Sequence, residues 1–87
     1  MHQDSTEKVK NILTVLAQAK KSGEGFLWIR EVARRAKINP ASAKWLIEHY
    51  LWDQIEFMNV DPLLERGLKL KPLTLTENAY QQILKNQ

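Results

Sequence analysis

The side chains best suited to hold a ligand are cations clustered in the middle of this 87-residue chain. Residues 30–44 carry five bases and one acid, residues 51–65 carry four acids and no base, and three cations return over 66–71. Two basic segments flanking an acidic one fit two separate phosphate contacts, the alternative being a solvated surface of mixed charge. The cations are Arg30, Arg34, Arg35, Lys37 and Lys44, then Arg66, Lys69 and Lys71.

Residues for most other chemistry are missing from the sequence. It has no cysteine, which excludes disulfides and thiolate metal sites, and its histidines, His2 and His49, are too few and too far apart for a metal site. No glycine-rich phosphate loop or nucleophile elbow occurs, and no carboxylate pair has a spacing that demands acid–base work. We therefore expect no catalytic residue, no metal, no cofactor and no enzyme activity.

The length predicts one small domain over residues 1–87. No apolar run approaches the roughly 18 residues that a membrane span needs, and the N-terminus has no signal-peptide core. We expect a soluble cytoplasmic protein, with no membrane partner.

The basic segment lies on a predicted pair of short helices. Ile29, Val32, Ala33 and Ala36 recur at three- and four-residue spacing, which places them on one helix face. Asn39-Pro40 is typical of a helix N-cap followed by the first helical residue. A second helix, Pro40 to about Trp52, follows, so the pair spans about 29–52. Its inward residues are predicted to be Ala43, Leu46, Ile47 and Tyr50.

Further elements surround this pair. A first helix should begin near Asp4, with Val9, Ile12, Leu13 and Leu16 as its apolar stripe, and end before the glycines at 23 and 25. Residues 26–28 read as a brief strand. Alternating residues predict two further strands, from Ile55 and from Leu68, the second running on past Pro72 through 73–75. Thr76 caps a last helix over 77–85, with Ala79, Tyr80, Ile83 and Leu84 inward.

The block R-E-V-A-R-R-A-K-I-N-P-A-S-A at 30–43 and L-T-L-T-E-N-A-Y at 73–80 resemble motifs of winged helix-turn-helix regulators of bacteria and archaea. The resemblance covers about residues 4–85. It implies an α+β fold with a three-helix core, a small antiparallel sheet as the wing (about 55–75) and a C-terminal helix. The sequence departs from the pattern where Lys37 and Gln54 replace common glycines. The turn glycine of the pattern is left-handed, and a non-glycine residue in that conformation lowers stability by about 1 kcal/mol. Lys37 therefore predicts a remodelled turn.

The resemblance implies sequence-specific binding of double-stranded DNA in transcriptional control, in or near the nucleoid. The helix from Pro40 would enter the major groove, and Arg30 and the wing cations would contact phosphates. One of Arg34 and Arg35 should face DNA while the other pairs with Glu31. The expected DNA-binding residues are Arg30, Arg34, Asn39, Ala41, Ser42, Lys44, Trp45, His49, Arg66, Lys69 and Lys71.

The aromatic residues of the second helix leave an alternative open. Trp45 lies in the middle of the outward face, where it fits either a DNA contact or a protein partner, and Trp52 fits packing beneath the wing better than a second partner contact. Glu48 on this face opposes phosphate unless it pairs with Lys44. The competing functions are a protein-interaction module of a larger assembly and a low-specificity DNA-architecture or partition factor. By analogy we also expect a homodimer through helix 1 and the 79–84 face.

Overall fold

The apolar stripe near the N-terminus forms helix α1, His2–Lys21, in a computed structural model that describes residues 2–57 and 72–86. The helix starts two residues before Asp4, so Asp4 lies inside the helix and the predicted N-cap position is wrong. It ends where the amide of Glu24 donates to the carbonyl of Ala19 at 2.9 Å, a reversal for which Gly23 adopts a φ of +89°. Glycine adopts this left-handed conformation without a Cβ clash.

The core forms where α1 packs against the next two helices and the sheet. Ile12 and Leu16 are fully buried at its centre, whereas Val9 and Leu13 of the predicted stripe are only half-buried. The large side chains that are fully buried are all aliphatic, and burying each of these stabilises the fold by about 1.5–3 kcal/mol. The largest are Ile12, Leu16, Val32, Ile47, Leu51, Leu73 and Leu75.

The predicted helix pair is present as α2, Ile29–Ala36, and α3, which begins at Pro40. Lys37 ends α2 with φ 61° and ψ 44°, so it takes the left-handed conformation and the turn is not remodelled. The amide of Ile38 donates to the carbonyl of Ala33 at 3.0 Å, which closes the end of α2. This hydrogen bond and the burial of the two helices outweigh the local strain at Lys37.

Helix α3 ends at Tyr50, two residues earlier than predicted, and Trp52–Gln54 continue as a single 3₁₀ turn. The boundary therefore comes before Gln54, the position at which a glycine was expected. Ala43, Leu46 and Ile47 are buried as predicted, but Tyr50 is 55% exposed, so its inward placement is wrong.

The sheet pairs β1, Ile55–Phe57, with β2, Leu73–Leu75, in antiparallel register with Ile55 opposite Leu75. The predicted strand at 26–28 is reduced to one bridge, in which the amides and carbonyls of Leu27 and Leu73 exchange hydrogen bonds of 2.7 and 2.8 Å. The parts of the predicted strands at 58–60 and 68–71 lie outside the described residues.

Helix α4, Glu77–Lys85, begins at the predicted cap, where the Thr76 hydroxyl accepts a hydrogen bond from the amide of Ala79 at 3.2 Å. Ala79 is buried, while Tyr80 and Ile83 pack partly against the core and Leu84 is half-buried. The described residues thus form four α-helices and a two-stranded antiparallel sheet, which confirms the α+β class. Within this described part, no helix has the length and apolarity that a membrane span requires.

Candidate nucleic-acid interface

The outward side of α3 is open to solvent along its length. Ala41, Lys44 and Glu48 are exposed, and Ser42 is half-buried beside them. Because the helix advances 100° per residue, Ala41 and Glu48 lie about 140–160° from the buried Ala43, and Lys44 lies about 100° from it. These positions are therefore available to a partner, as the sequence predicted.

Lys44 is paired with an acid on its own helix. Its Nζ lies 3.2 Å from Oε2 of Glu48, one turn farther along, and both side chains remain about half exposed. The pair neutralises the only lysine of the helix, so the outward side of α3 carries no net charge from these two residues. An exposed pair of this kind contributes about 0–1 kcal/mol, so an anion can replace the carboxylate at small cost.

Trp45 belongs to an exposed aromatic cluster with His49 and Tyr50. The His49 ring stacks on the Trp45 ring at a centroid distance of 4.2 Å, and the Tyr50 ring meets Trp45 edge-on at 5.8 Å. Nδ1 of His49 lies 2.9 Å from the carbonyl oxygen of Trp45. Because a carbonyl only accepts, this contact requires the proton on Nδ1 and leaves Nε2 as the outward acceptor of the neutral ring.

Arg30 and Lys37 provide exposed cations at the two ends of α2. Among residues 2–57 and 72–86, neither side chain forms an ion pair. Arg30 lies in the first turn of the helix and Lys37 lies at its left-handed end. Of the five cations at 30–44, these two have no described acid as a partner, and Lys37 was not among the expected DNA-binding residues.

Arg34 and Arg35 are both bound to acids. The predicted pairing of one of them with Glu31 is present, and the Arg34 side chain is 70% exposed, so its contact with DNA stays a prediction. Both donate to the carboxylate of Glu31, Arg34 through Nε at 3.0 Å and Arg35 through Nε at 2.7 Å. Arg35 also donates from both terminal nitrogens to Glu24, at 2.9 and 2.8 Å. The second contact spans eleven residues and fixes the loop after α1 to α2. Spacing within one helix could not reveal it.

These ion pairs change the acid–base behaviour of the acids. Hydrogen bonds from Arg34 and then Arg35 lower the pKa of Glu31 from 4.5 to about 2. The hydrogen bond from Arg35 is also the main cause of the lowered pKa of Glu24. Both acids therefore stay ionised, and keep their arginine partners, to a lower pH than an ordinary glutamate would.

Asn39 and Trp52 have structural environments of their own. The side-chain oxygen of Asn39 accepts from the amide of Ala41 at 2.7 Å, so it caps α3 as predicted and this oxygen is committed to the helix. Trp52 is 60% exposed, and its ring touches Phe57 of β1 at a centroid distance of 5.6 Å. The predicted packing of Trp52 is thus limited to one side of the ring.

Only part of the predicted site lies among the residues that the structure describes. The wing cations Arg66, Lys69 and Lys71 lie outside the described residues. No group of three or more His, Cys, Asp or Glu that could hold a metal occurs among the residues described.

A groove between α1 and α3 is a feature that the sequence reasoning missed. It has a volume of about 510 Å³, and Tyr50 and Leu13 are among its lining residues. A signal for it is present in the sequence, because the first turns of α1 carry Ser5, Thr6 and Lys8 and no large apolar side chain before Val9. Nothing apolar from those turns can cover Tyr50, which explains its exposure.

No family model, no curated protein and no solved structure matches this chain. A functional assignment therefore rests on the geometry of the site.

Proposed function

We propose that this chain is a winged helix-turn-helix protein that binds double-stranded DNA in transcriptional control. The observation that carries the proposal is the solvent-exposed outward side of α3, which follows a three-residue turn and presents Ala41, Ser42 and Lys44 from its first two turns. The N-terminal turns of such a second helix are the part that contacts base edges in the major groove. The order of the helices and the antiparallel strand pair supports the fold assignment.

The chemistry of these side chains suits base and phosphate contacts. Lys44 can donate to guanine or to a phosphate, Ser42 can donate or accept, and the methyl group of Ala41 fits against a thymine methyl. Arg30 and Lys37 add phosphate contacts that are not already compensated by a described acid. To contact DNA, Lys44 would first have to leave its ion pair with Glu48. This costs little free energy, because the pair is exposed to solvent.

Selection of bound duplexes from a random pool, at a low and a moderate salt concentration, tests the proposal. A regulator enriches one motif at both salt concentrations, because base contacts persist when phosphate contacts are screened. A low-specificity architectural or partition factor binds the pool without enriching a motif. Recovery of no duplex at either salt concentration contradicts DNA binding altogether.

Two substitutions locate the interface. We expect Lys44→Ala and Arg30→Ala each to reduce duplex affinity by about tenfold, the loss expected for one direct contact. Whichever residue contacts a phosphate also gives a shallower salt dependence. Lys85→Ala, which removes the same charge from the last turn of α4, is the matched control and should leave affinity unchanged. Equal losses in all three variants would show only a general charge effect.

A second candidate function, a protein-interaction module, is favoured by the exposed aromatic side chains. Trp45 is 49% exposed and Trp52 is 60% exposed, and large exposed aromatic residues are typical of protein interfaces. Affinity capture with immobilised chain becomes the first assay if the duplex selection recovers nothing.

A further inference from the structure

The groove between α1 and α3 exposes part of the side of α3 that faces the core. On the helical wheel Tyr50 falls among the buried residues Ala43, Leu46 and Ile47, yet it is 55% exposed. Its ring forms one wall of the 510 Å³ groove, and the half-buried Val9 and Leu13 of α1 line the opposite wall. The volume of this groove lies within the range of about 300–1,000 Å³ that is typical of ligand sites.

A second, smaller groove adjoins the first. It has a volume of about 300 Å³ and lies between the start of α1 and the start of α3, where Trp45 lines it. Ser5 lines both grooves, and Trp45 contacts Tyr50 at 5.8 Å between ring centroids. The two grooves together follow α3 from Ala41 to Tyr50, about 14 Å at 1.5 Å per residue. That length accommodates two to three turns of a helical segment.

The charge at the groove rim has one sign. Lys10 lines the larger groove and Lys8 lines the smaller one, and no acid occurs among the described residues that line either of them. Glu7 precedes both lysines on α1 and lies about 100° from Lys8 and about 60° from Lys10 around the helix, and it lines neither groove. The rim therefore favours an occupant that is negatively charged around an apolar centre.

We propose that the α1–α3 groove binds an acidic amphipathic segment of a partner protein. Apolar side chains of that segment fill the space between Tyr50 and Leu13, while its carboxylates face Lys8 and Lys10. This is the helix-in-groove mode of peptide recognition, in which a few apolar anchors supply affinity and the rim charges supply selectivity. Ala41 and Ser42 of the smaller groove are shared with the DNA proposal. The peptide proposal does not depend on DNA binding, because Tyr50, Leu13 and the two lysines of α1 have no part in the DNA proposal.

Three matched peptides of about sixteen residues test the proposal with the full chain. The first has leucine and tryptophan along one helical face and glutamate elsewhere, the second replaces glutamate by lysine, and the third replaces the apolar residues by serine. Fluorescence anisotropy of labelled peptides measures binding, and amide chemical shifts map the contacts. We expect only the acidic amphipathic peptide to bind, with the largest shifts in the first half of α1 and along α3.

Variants of exposed residues then test the assigned contacts. Tyr50→Ala should weaken the acidic peptide about tenfold, as for loss of an aromatic anchor, and Lys10→Glu about fivefold. Lys21→Glu, an equal charge change at the far end of α1, should have no effect. Circular dichroism checks that each variant is folded. If Tyr50→Ala is unfolded, Lys10→Glu still tests the proposal, because it changes a residue exposed to solvent.

Three results would overturn the proposal. Equal binding of the acidic and basic peptides would remove the role of the lysines. Concentration-dependent dimers abolished by Tyr50→Ala would make a second copy of this chain the occupant. Duplex DNA binding lost in Lys10→Glu, with no peptide bound by the wild-type chain, would assign the surface to nucleic acid.

Discussion

Lys37 adopts a strained left-handed conformation, which allows the tight turn between α2 and α3. Its left-handed conformation positions the amides that close α2, and α3 begins only three residues later. Most residues other than glycine, asparagine and aspartate pay for this conformation. In the proposed DNA complex this lysine also supplies a cation near the start of α3.

Replacement of Lys37 by glycine should therefore stabilise the fold. We expect Lys37→Gly to raise the free energy of unfolding by about 0.5–1 kcal/mol, since relief of strain exceeds the added flexibility of the unfolded chain. Urea unfolding measures the change. Lys37→Ala is the control, because it removes the lysine but keeps the Cβ, and it should show no such gain. Equal stability of the two variants would place the strain elsewhere.

Glu48 limits the charge available on α3. We expect Glu48→Gln to increase duplex affinity about threefold, because it releases Lys44 and removes a charge that repels phosphate. Fluorescence anisotropy with a mixed-sequence duplex measures the effect. Glu77→Gln, an equal change on α4, should leave affinity as it is. A fall in affinity for Glu48→Gln would instead identify Glu48 as a direct contact, such as an acceptor for a cytosine amine.

At the scale of elements, the ion pairs of α2 join one helix to the loop before it. Glu31 holds Arg34 and Arg35, and Arg35 extends the network to Glu24 after the end of α1. All four side chains are partly solvent-exposed, so salt screens the network. It links the loop after α1 to α2 and gives acidic partners to both arginines, whereas the sequence predicted such a partner for only one of them.

This network makes stability depend on pH in the acid range. The pKa of Glu31 is about 2 in the folded chain and 4.5 without its partners, so its stabilisation is complete above about pH 5. It is then lost as the pH falls towards 2, and the lowered pKa of Glu24 acts in the same direction. Thermal unfolding between pH 2 and 6 should show Tm falling on acidification, less steeply in Glu31→Gln.

The matched control for this prediction is Glu7→Gln. Glu7 is an exposed acid of α1 that forms no ion pair within residues 2–57 and 72–86. Its replacement should leave the slope of Tm against pH close to that of the wild-type chain. An unchanged slope in Glu31→Gln would show that the network does not contribute to acid stability.

At the scale of the whole molecule, the sequence predicted the order of the four helices and of the strand pair, and most of the helix bounds, within residues 2–57 and 72–86. Residues with strong local signals were assigned correctly, such as the caps Asn39 and Thr76, whose side chains bond the next helix within three residues. The features that were missed depend on contacts distant in sequence. Arg35 reaches Glu24 across a loop, and the exposure of Tyr50 depends on which part of α1 lies over it.

The same distinction separates the two proposed surfaces. The outward side of α3 could be derived from helical periodicity, because a one-dimensional pattern records which face of a helix is polar. The groove could not, because the residues that line it come from two helices more than thirty positions apart. One molecule thus offers a polar surface suited to DNA and an apolar surface suited to an acidic peptide. A homodimer through α1 and α4 remains a prediction, which sedimentation can test.

The most direct test of the central claim is the salt dependence of duplex binding by the wild-type chain. Anisotropy titrations of a mixed-sequence duplex from about 50 to 200 mM salt give the slope of log K against log salt. We predict a slope of about −2 if Arg30 and Lys37 alone contact phosphates, and about −4.5 if Arg66, Lys69 and Lys71 join them. No binding at the lowest salt, or a slope near zero, would contradict the proposal that this chain binds DNA.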